Sequence, residues 1–401
     1  MRLYSAASEE AKRARDLLKD WAGEGYLTEA QYQRLESETV CDLRRTNIFL
    51  RIVLFLFSLL IVGAGAGLFF GMFVSIPSVA SLQTVGVFLL FFAAISYAAA
   101  EFAVSQARLY RYGIEEALTV CSVGFLCGGL QFAFVNGSSD SPSGFLVPAA
   151  GAALSLWIWR RFGLSYAFLA AMIFVLFLPG HWTSSRSTQH LIVAMFYATG
   201  LAGVVMVRPR HRFDYLNAGY SLVEAFLWLG IYLVINLQLS ALNLLRQWLG
   251  APRTGVEFSS PFYWTTWVMI WCLPPAVLAR GVRRKDRFVI AAGAIAATLT
   301  FVTNKPYLGW QRHTWDPMLL GVLFMGVALF IQRWLASGPA GIRHGFTAQR
   351  LSGADKRWMA GGSVLLGQLA PNLIKTAPQT DGPDVHFGGG DSGGGGATSD
   401  F

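Results

Sequence analysis

Long apolar runs divide the middle of the chain, each bracketed by polar or basic residues. They fall near 50–74, 82–104, 114–135, 144–159, 162–179, 189–207, 215–237, 261–279, 287–303 and 317–335. A helix rises about 1.5 Å per residue, so roughly 20 apolar residues cross the hydrocarbon layer of a membrane. Most of the runs meet that length. The fourth and fifth are short and only Arg160-Arg161 separates them, which predicts a tight hairpin or, alternatively, a re-entrant segment. The pattern as a whole predicts an all-α polytopic transmembrane bundle of about ten spans over 47–336.

The ends follow other rules. Residues 1–46 read as a small helical hairpin. Ser8 can cap a first helix with apolar positions Ala11, Leu17, Leu18 and Trp21, closed by Gly23 and Gly25. Thr28 with Gln31 makes a capping-box start for a second helix, which can continue through Leu43 and Arg44-Arg45 into the membrane. The hairpin is too small to bury its own core, so it is expected to pack on the spans or on a partner. Between 238 and 260, Leu242, Leu245 and Leu249 share a face, as in a short helix lying in the outer interface. The segment 337–401 turns polar and then Gly-rich at 388–396, the composition of a flexible tail.

Charge orients the bundle. Of 401 residues 54% are hydrophobic and 14% charged, well below the roughly 25% charged residues of soluble domains, and the net charge is +9. With the N-terminus inside, the cytoplasmic loops carry Arg108 and Arg111; Arg160 and Arg161; Arg208, Arg210 and Arg212; and Arg280, Arg283, Arg284, Lys285 and Arg287. The outside loops carry fewer or only match the poorest of these, so the positive-inside rule places both termini in the cytoplasm. These cations flank apolar runs and do not form a stripe with stacking aromatics, which argues against nucleic-acid binding. Cys41, Cys121, Cys127 and Cys272 form no CxxC or Cys/His cluster, so four free thiols and no metal or cofactor are expected.

Four groups of residues stand out. Glu224 lies about nine residues into the seventh run, roughly 14 Å from its start, with Tyr220 one turn before it and Trp228 one turn after. It is either a proton or cation site in a transport path or a bonded structural carboxylate. Arg51, Glu101, Glu115 and Glu116 gather near the cytoplasmic face, as paired charges or as interfacial side chains. Gly63, Gly67 and Gly71, with Gly124 and Gly128, repeat at four-residue spacing, for a homodimer seam or for packing within the bundle. His181, His190, His313 and Asp316 lie in or beside predicted outer loops, with none of the spacings of a metal site.

Leu17-Leu18-Lys19-Asp20-Trp21, Gly25-Tyr26-Leu27-Thr28, Gln31 and Leu35, leading through Arg44-Arg45 to a Gly-rich first span, resemble the start of bacterial membrane proteins grouped as domain of unknown function 2157. The likeness covers about the first 70 residues. The ending His386-Phe387-Gly388-Gly389-Gly390 through Phe401 is similar to glycine-rich tails on other bacterial membrane proteins. The resemblance implies a bacterial inner-membrane setting and carries no activity. The reading that follows is a non-enzymatic membrane protein offering its hairpin or tail to a protein partner, with a homo-oligomer as a further option. The alternatives are an ion-coupled carrier using Glu224 and an outer-face membrane enzyme.

Overall fold

The structure is a computed structural model describing residues 3–23, 25–39, 43–44, 46–74, 81–134, 143–211, 215–239, 258–310, 313–339, 342–344 and 346–347. The predicted interfacial helix (240–257) and nearly all of the predicted tail (348–401) lie outside the described residues. The described residues form twelve α-helices and one two-residue ladder, Ile342–Arg343 against Phe346–Thr347.

The head consists of α1 (Ala6–Gly23) and α2 (Glu29–Glu38). Ser5, not Ser8, opens α1: its hydroxyl accepts the Ser8 N–H at 3.1 Å. Of the apolar positions expected to face inward, Leu18 is buried, while Leu17 and Trp21 stay exposed. The α2 capping box is complete, with Thr28 Oγ1 accepting the Gln31 N–H and Gln31 Oε1 accepting the Thr28 N–H. The second helix does not run on into the membrane. It ends at Glu38, where Thr39 turns its hydroxyl onto the Leu35 and Glu36 carbonyls and so competes with the helix for them.

Among the described residues, eight helices are long and apolar enough to cross a membrane, as fits an integral membrane protein. They are α3 (Ile48–Val74), α4 (Leu82–Ser105), α5 (Ile114–Ala133), α8 (Arg186–Val207), α9 (Asn217–Ile235), α10 (Ser260–Arg284), α11 (Arg287–Tyr307) and α12 (Asp316–Ala336). Between them α6 (Ser143–Phe162) and α7 (Ser165–Val175) pack as a hairpin. Pro148 and the terminal Arg160-Arg161 dilute the apolar character of α6. The helical part of α7 is only about 16 Å long. A 3-10 turn, Pro179–His181, then carries the chain to Gly144 and Phe145 at the start of α6, where a Cβ on Gly144 would lie 2.6 Å from the His181 ring. The two arms therefore begin and end at matching levels.

At the centre stands α9, half of whose apolar window is buried. Val223, Leu227, Ile231 and Val234 pack against Val193, Tyr197, Leu201 and Val204 of α8 and Phe168, Met172 and Val175 of α7. Its other face meets Ile270 and Val277 of α10 and Val289 and Ala296 of α11. The tightest pair is α4–α5, where Gly86 and Gly129 let the helices close: a Cβ on Gly129 would sit 2.9 Å from Leu90, and one on Gly86 would press on the backbone of Ala133. By contrast α12 buries none of its described residues and is tethered to α11 through a Lys305–Asp316 ion pair of 2.6 Å.

The head docks on one end of the bundle, here termed the head side. The Leu3 N–H donates to the Arg161 carbonyl (2.9 Å), and the buried Tyr4 hydroxyl to that of Leu109 (3.2 Å). Arg44 bridges the α4–α5 connection, donating to Arg108 O and accepting from the Tyr110 N–H, both at 3.0 Å. Glu10 accepts the Tyr215 N–H at 3.2 Å. Basic connections that the charge pattern assigned to one face thus meet the head together.

Candidate functional site

The most concentrated polar chemistry lies at the head-side ends of α8, α9 and α10. Pro209 lacks the N–H that would continue α8 as an α-helix, and the chain leaves it through a 3-10 turn, Arg208–His211. Arg208 is left pointing across the bundle. Lys285 closes α10 in the left-handed conformation, and the next residue, Asp286, caps α11 by accepting the Phe288 and Val289 N–H groups. Between these ends rises Glu224, fully buried on α9.

Glu224 is an ion-pair hub. Arg208 Nη1 lies 2.6 Å from Oε2, Arg280 Nε 2.6 Å from Oε1, and Arg284 Nη1 3.6 Å from Oε2. Arg208 also reaches Asp286 Oδ2 with Nη2 at 2.5 Å and donates from Nε to Asn217 Oδ1 at 3.3 Å. The Ser221 hydroxyl lies 2.6 and 2.7 Å from the two Asp286 oxygens. One guanidinium therefore ties α8 to α9 and to the α10–α11 turn. Burial pushes the Asp286 carboxyl up, but the Ser221 hydroxyl and the Arg208 guanidinium outweigh it and hold it below the ordinary Asp value.

Glu224 sits about seven residues, roughly 10 Å, into α9 and one turn inside the neighbouring helix ends, shallower than its sequence position implies. Tyr220 is not among its partners: it packs on Trp159 and stacks on His211. The second candidate group separates into two pairs. Arg51 grips Glu116 with two donors, Nε at 2.8 Å and Nη2, joining α3 to α5. Arg161 holds Glu101 at 2.8 Å, backed by Tyr97 and Trp157, joining α6 to α4. Glu115 is buried and accepts the Tyr112 N–H at the start of α5.

A Cβ added at Gly63, Gly67, Gly71 or Gly124 would meet no atom within 4 Å, and one at Gly128 only an ordinary contact with Leu89. Among the described residues no neighbour packs closely on the repeated glycines. On the far side, His190 Nδ1 pairs with the Val234 carbonyl at 2.8 Å, His181 sits on Gly144, and His313 stacks on Trp315. The three imidazoles go to three separate neighbours. Among the described residues no group of three or more His, Cys, Asp or Glu side chains lies within reach of one metal ion.

The sequence reading missed a buried polar seam in the far-side half. Tyr232 and Thr300 share a hydrogen bond of 2.8 Å, and Asn236 Nδ2 donates to Tyr232 and Thr303. Tyr307 accepts the Leu237 N–H at 2.9 Å. The four-residue step from Tyr232 to Asn236 and the three-residue step from Thr300 to Thr303 put each pair on one helix face, which was the available signal.

Two of the hollows that open at the head side gather several cations. One of about 410 Å³ is lined by Arg208, Pro209, Asn217, Arg283, Arg284 and Lys285. The other, of about 680 Å³, lies between α1 and the helix ends and has Glu9, Asp16 and Asp20 on one wall and Arg208, Arg284, Lys285 and Arg287 on another. No family model, curated protein or solved structure matches this chain.

Proposed function

We propose that the chain is a non-catalytic, multi-pass protein of a bacterial inner membrane that serves as a docking platform for a protein partner. Its spans number about ten, counting the α6–α7 hairpin, and both termini lie in the cytoplasm, on the side where the basic connections gather. The observation that carries this reading is the seating of the head. Bonds from Leu3 to Arg161, from Tyr4 and Arg44 to the α4–α5 connection, and from Tyr215 to Glu10 hold it on the bundle. Trp21 and Tyr26 nevertheless remain 48% and 74% exposed. Aromatic side chains displayed on a fixed, charged hairpin fit the anchor chemistry of a protein interface. The N-terminal likeness to domain of unknown function 2157 proteins supports the bacterial setting. The open glycine face of α3 supports self-association as a second use of the surface.

A photo-crosslinking amino acid at Tyr26 tests the platform in intact cells. It should trap one discrete protein species, and Trp21→Glu in the same chain should reduce that product. Absence of any protein product at Tyr26 would remove the reading.

The carrier alternative draws on the burial of Glu224 beside the 410 Å³ hollow and on the polar residues Ser221 and Tyr232 of α9 and Asn236 at its end. Proton-driven flux in reconstituted vesicles, lost in Glu224→Gln, would establish it; flux no faster than in empty vesicles would remove it. The outer-face enzyme reading gains nothing from three imidazoles with separate neighbours.

A further inference from the structure

The 410 Å³ hollow carries more positive charge than its lock needs. Among the described residues around it, five cations, Arg208, Arg280, Arg283, Arg284 and Lys285, stand against two carboxylates, Glu224 and Asp286. Both carboxylates are buried behind the arginines, and neither appears in the lining. Arg208 and the more loosely paired Arg284 are held in place by Glu224, so part of the cost of ordering them is already met. Arg283 and Lys285 have no ion-pair partner among the described residues and stand exposed at the mouth. Beneath them, Arg280 Nη2 is a buried donor without a hydrogen-bond partner.

Orientation in a membrane requires basic residues near helix ends. It does not require four of them to converge on one concavity with a side-chain amide, Asn217, on its wall. The adjoining 680 Å³ cleft shares Arg208, Arg284 and Lys285 but differs in having carboxylates, Glu9, Asp16, Asp20 and Asp286, on its wall to offset part of its charge, whereas the smaller hollow has none in its lining. The smaller hollow has room for a small ligand. Its lining comes from helix ends, the level at which lipid headgroups meet a spanning protein.

We infer that this hollow seats a phosphate group, presented by an anionic lipid headgroup or by a soluble phosphorylated compound. Arg283, Arg284 and Lys285 supply charge-assisted donors to the phosphate oxygens, and Asn217 and the free donors of Arg208 complete the seat. The inference is independent of the docking reading, since it uses neither Trp21 nor Tyr26.

The test compares the full-length chain with Arg283→Ala/Lys285→Ala, whose side chains lie outside the Glu224 lock. The control is Arg333→Ala/Arg343→Ala, which removes two cations elsewhere. Native mass spectrometry from micelles containing phosphatidylglycerol or phosphatidylcholine reads retained lipid. Thermal melting in lipid-free detergent, with millimolar inorganic phosphate at constant ionic strength, reads the soluble source. A lipid source gives a phosphatidylglycerol adduct in the wild type and the control that falls about tenfold or more in the Arg283/Lys285 pair. A soluble source gives a phosphate-dependent rise in melting temperature that the same pair lacks. The wild type also carries the test alone: it must retain phosphatidylglycerol over phosphatidylcholine by about tenfold or be stabilised by phosphate. If neither happens, or if the control pair loses binding as fully as the Arg283/Lys285 pair, the site is overturned.

Discussion

Replacing Glu224 with glutamine keeps the shape of the side chain and removes its charge from among three guanidinium groups. The consequence can be estimated from the geometry. Arg208 and Arg280 each make one bond of 2.6 Å to the carboxylate, and such charge-assisted bonds contribute about 1.5–3 kcal/mol apiece. Arg284, at 3.6 Å and with 36% of its side chain exposed, adds little. Breaking a buried ion pair from one side costs about 3–5 kcal/mol, because the partner charge stays buried. Here Arg208 retains Asp286 and Arg280 is partly solvated, which lowers the expected loss to about 2–4 kcal/mol. At a few degrees per kcal/mol, the melting temperature should drop on the order of 5–10 °C. Melting followed by intrinsic tryptophan fluorescence in detergent at one fixed scan rate measures this, since large membrane proteins often unfold irreversibly. Adding Arg280→Gln to Glu224→Gln should cost less than the sum of the two single changes, because the second charge no longer has a partner to lose. A Glu224→Gln protein that melts within about 1 °C of the wild type would refute the lock.

Other perturbations follow from the same geometry. Gly86→Ala forces a Cβ against the Ala133 backbone and should cost about 1–3 kcal/mol, whereas Gly67→Ala, which meets nothing, should stay within about 0.5 kcal/mol; paired melts compare them. Asp286 is held below its unfolded value, so its contribution is fully present above about pH 4 and is lost as the pH falls through the folded value. Wild-type melting temperature should therefore fall more steeply than that of Asp286→Asn on acidification into that range, and parallel profiles would contradict the assignment. Tyr4→Ala removes a buried ring and the bond to Leu109, so hydrogen–deuterium exchange should rise across 6–23 while the spans keep their protection.

Much of this architecture was readable from the chain, for identifiable reasons. A helix in lipid satisfies its own backbone, so a run of 20 apolar residues is nearly a complete instruction, and α3, α4, α5 and α8 to α12 followed it. The capping box at Thr28 and Gln31 is equally local and held. What failed depended on neighbours. The second helix stops at Glu38, and Arg44 pairs instead with a connection more than sixty residues away. Periodicity placed Glu224 on a face with Tyr220, yet its bonds run to Arg208 and Arg280, 16 and 56 residues distant. Glycine spacing left two uses open, a dimer seam or packing within the bundle. Among the described residues the regular repeat of α3 meets nothing, while Gly86 and Gly129, which form no such repeat, carry the close contact. Spacing states which residues share a face and leaves unstated what that face meets.

The seating of the head sets an order of assembly. Residues 3 to 10 leave the ribosome before the spans, but the groups that receive them are the Leu109 and Arg161 carbonyls and the Tyr215 amide. More than half the chain must be synthesised, and its hairpins inserted, before the last of those contacts can form. A docked head is therefore a record that the eight helices before Tyr215 have reached their places, begun by residues 3 to 10 and completed only past the middle of the chain.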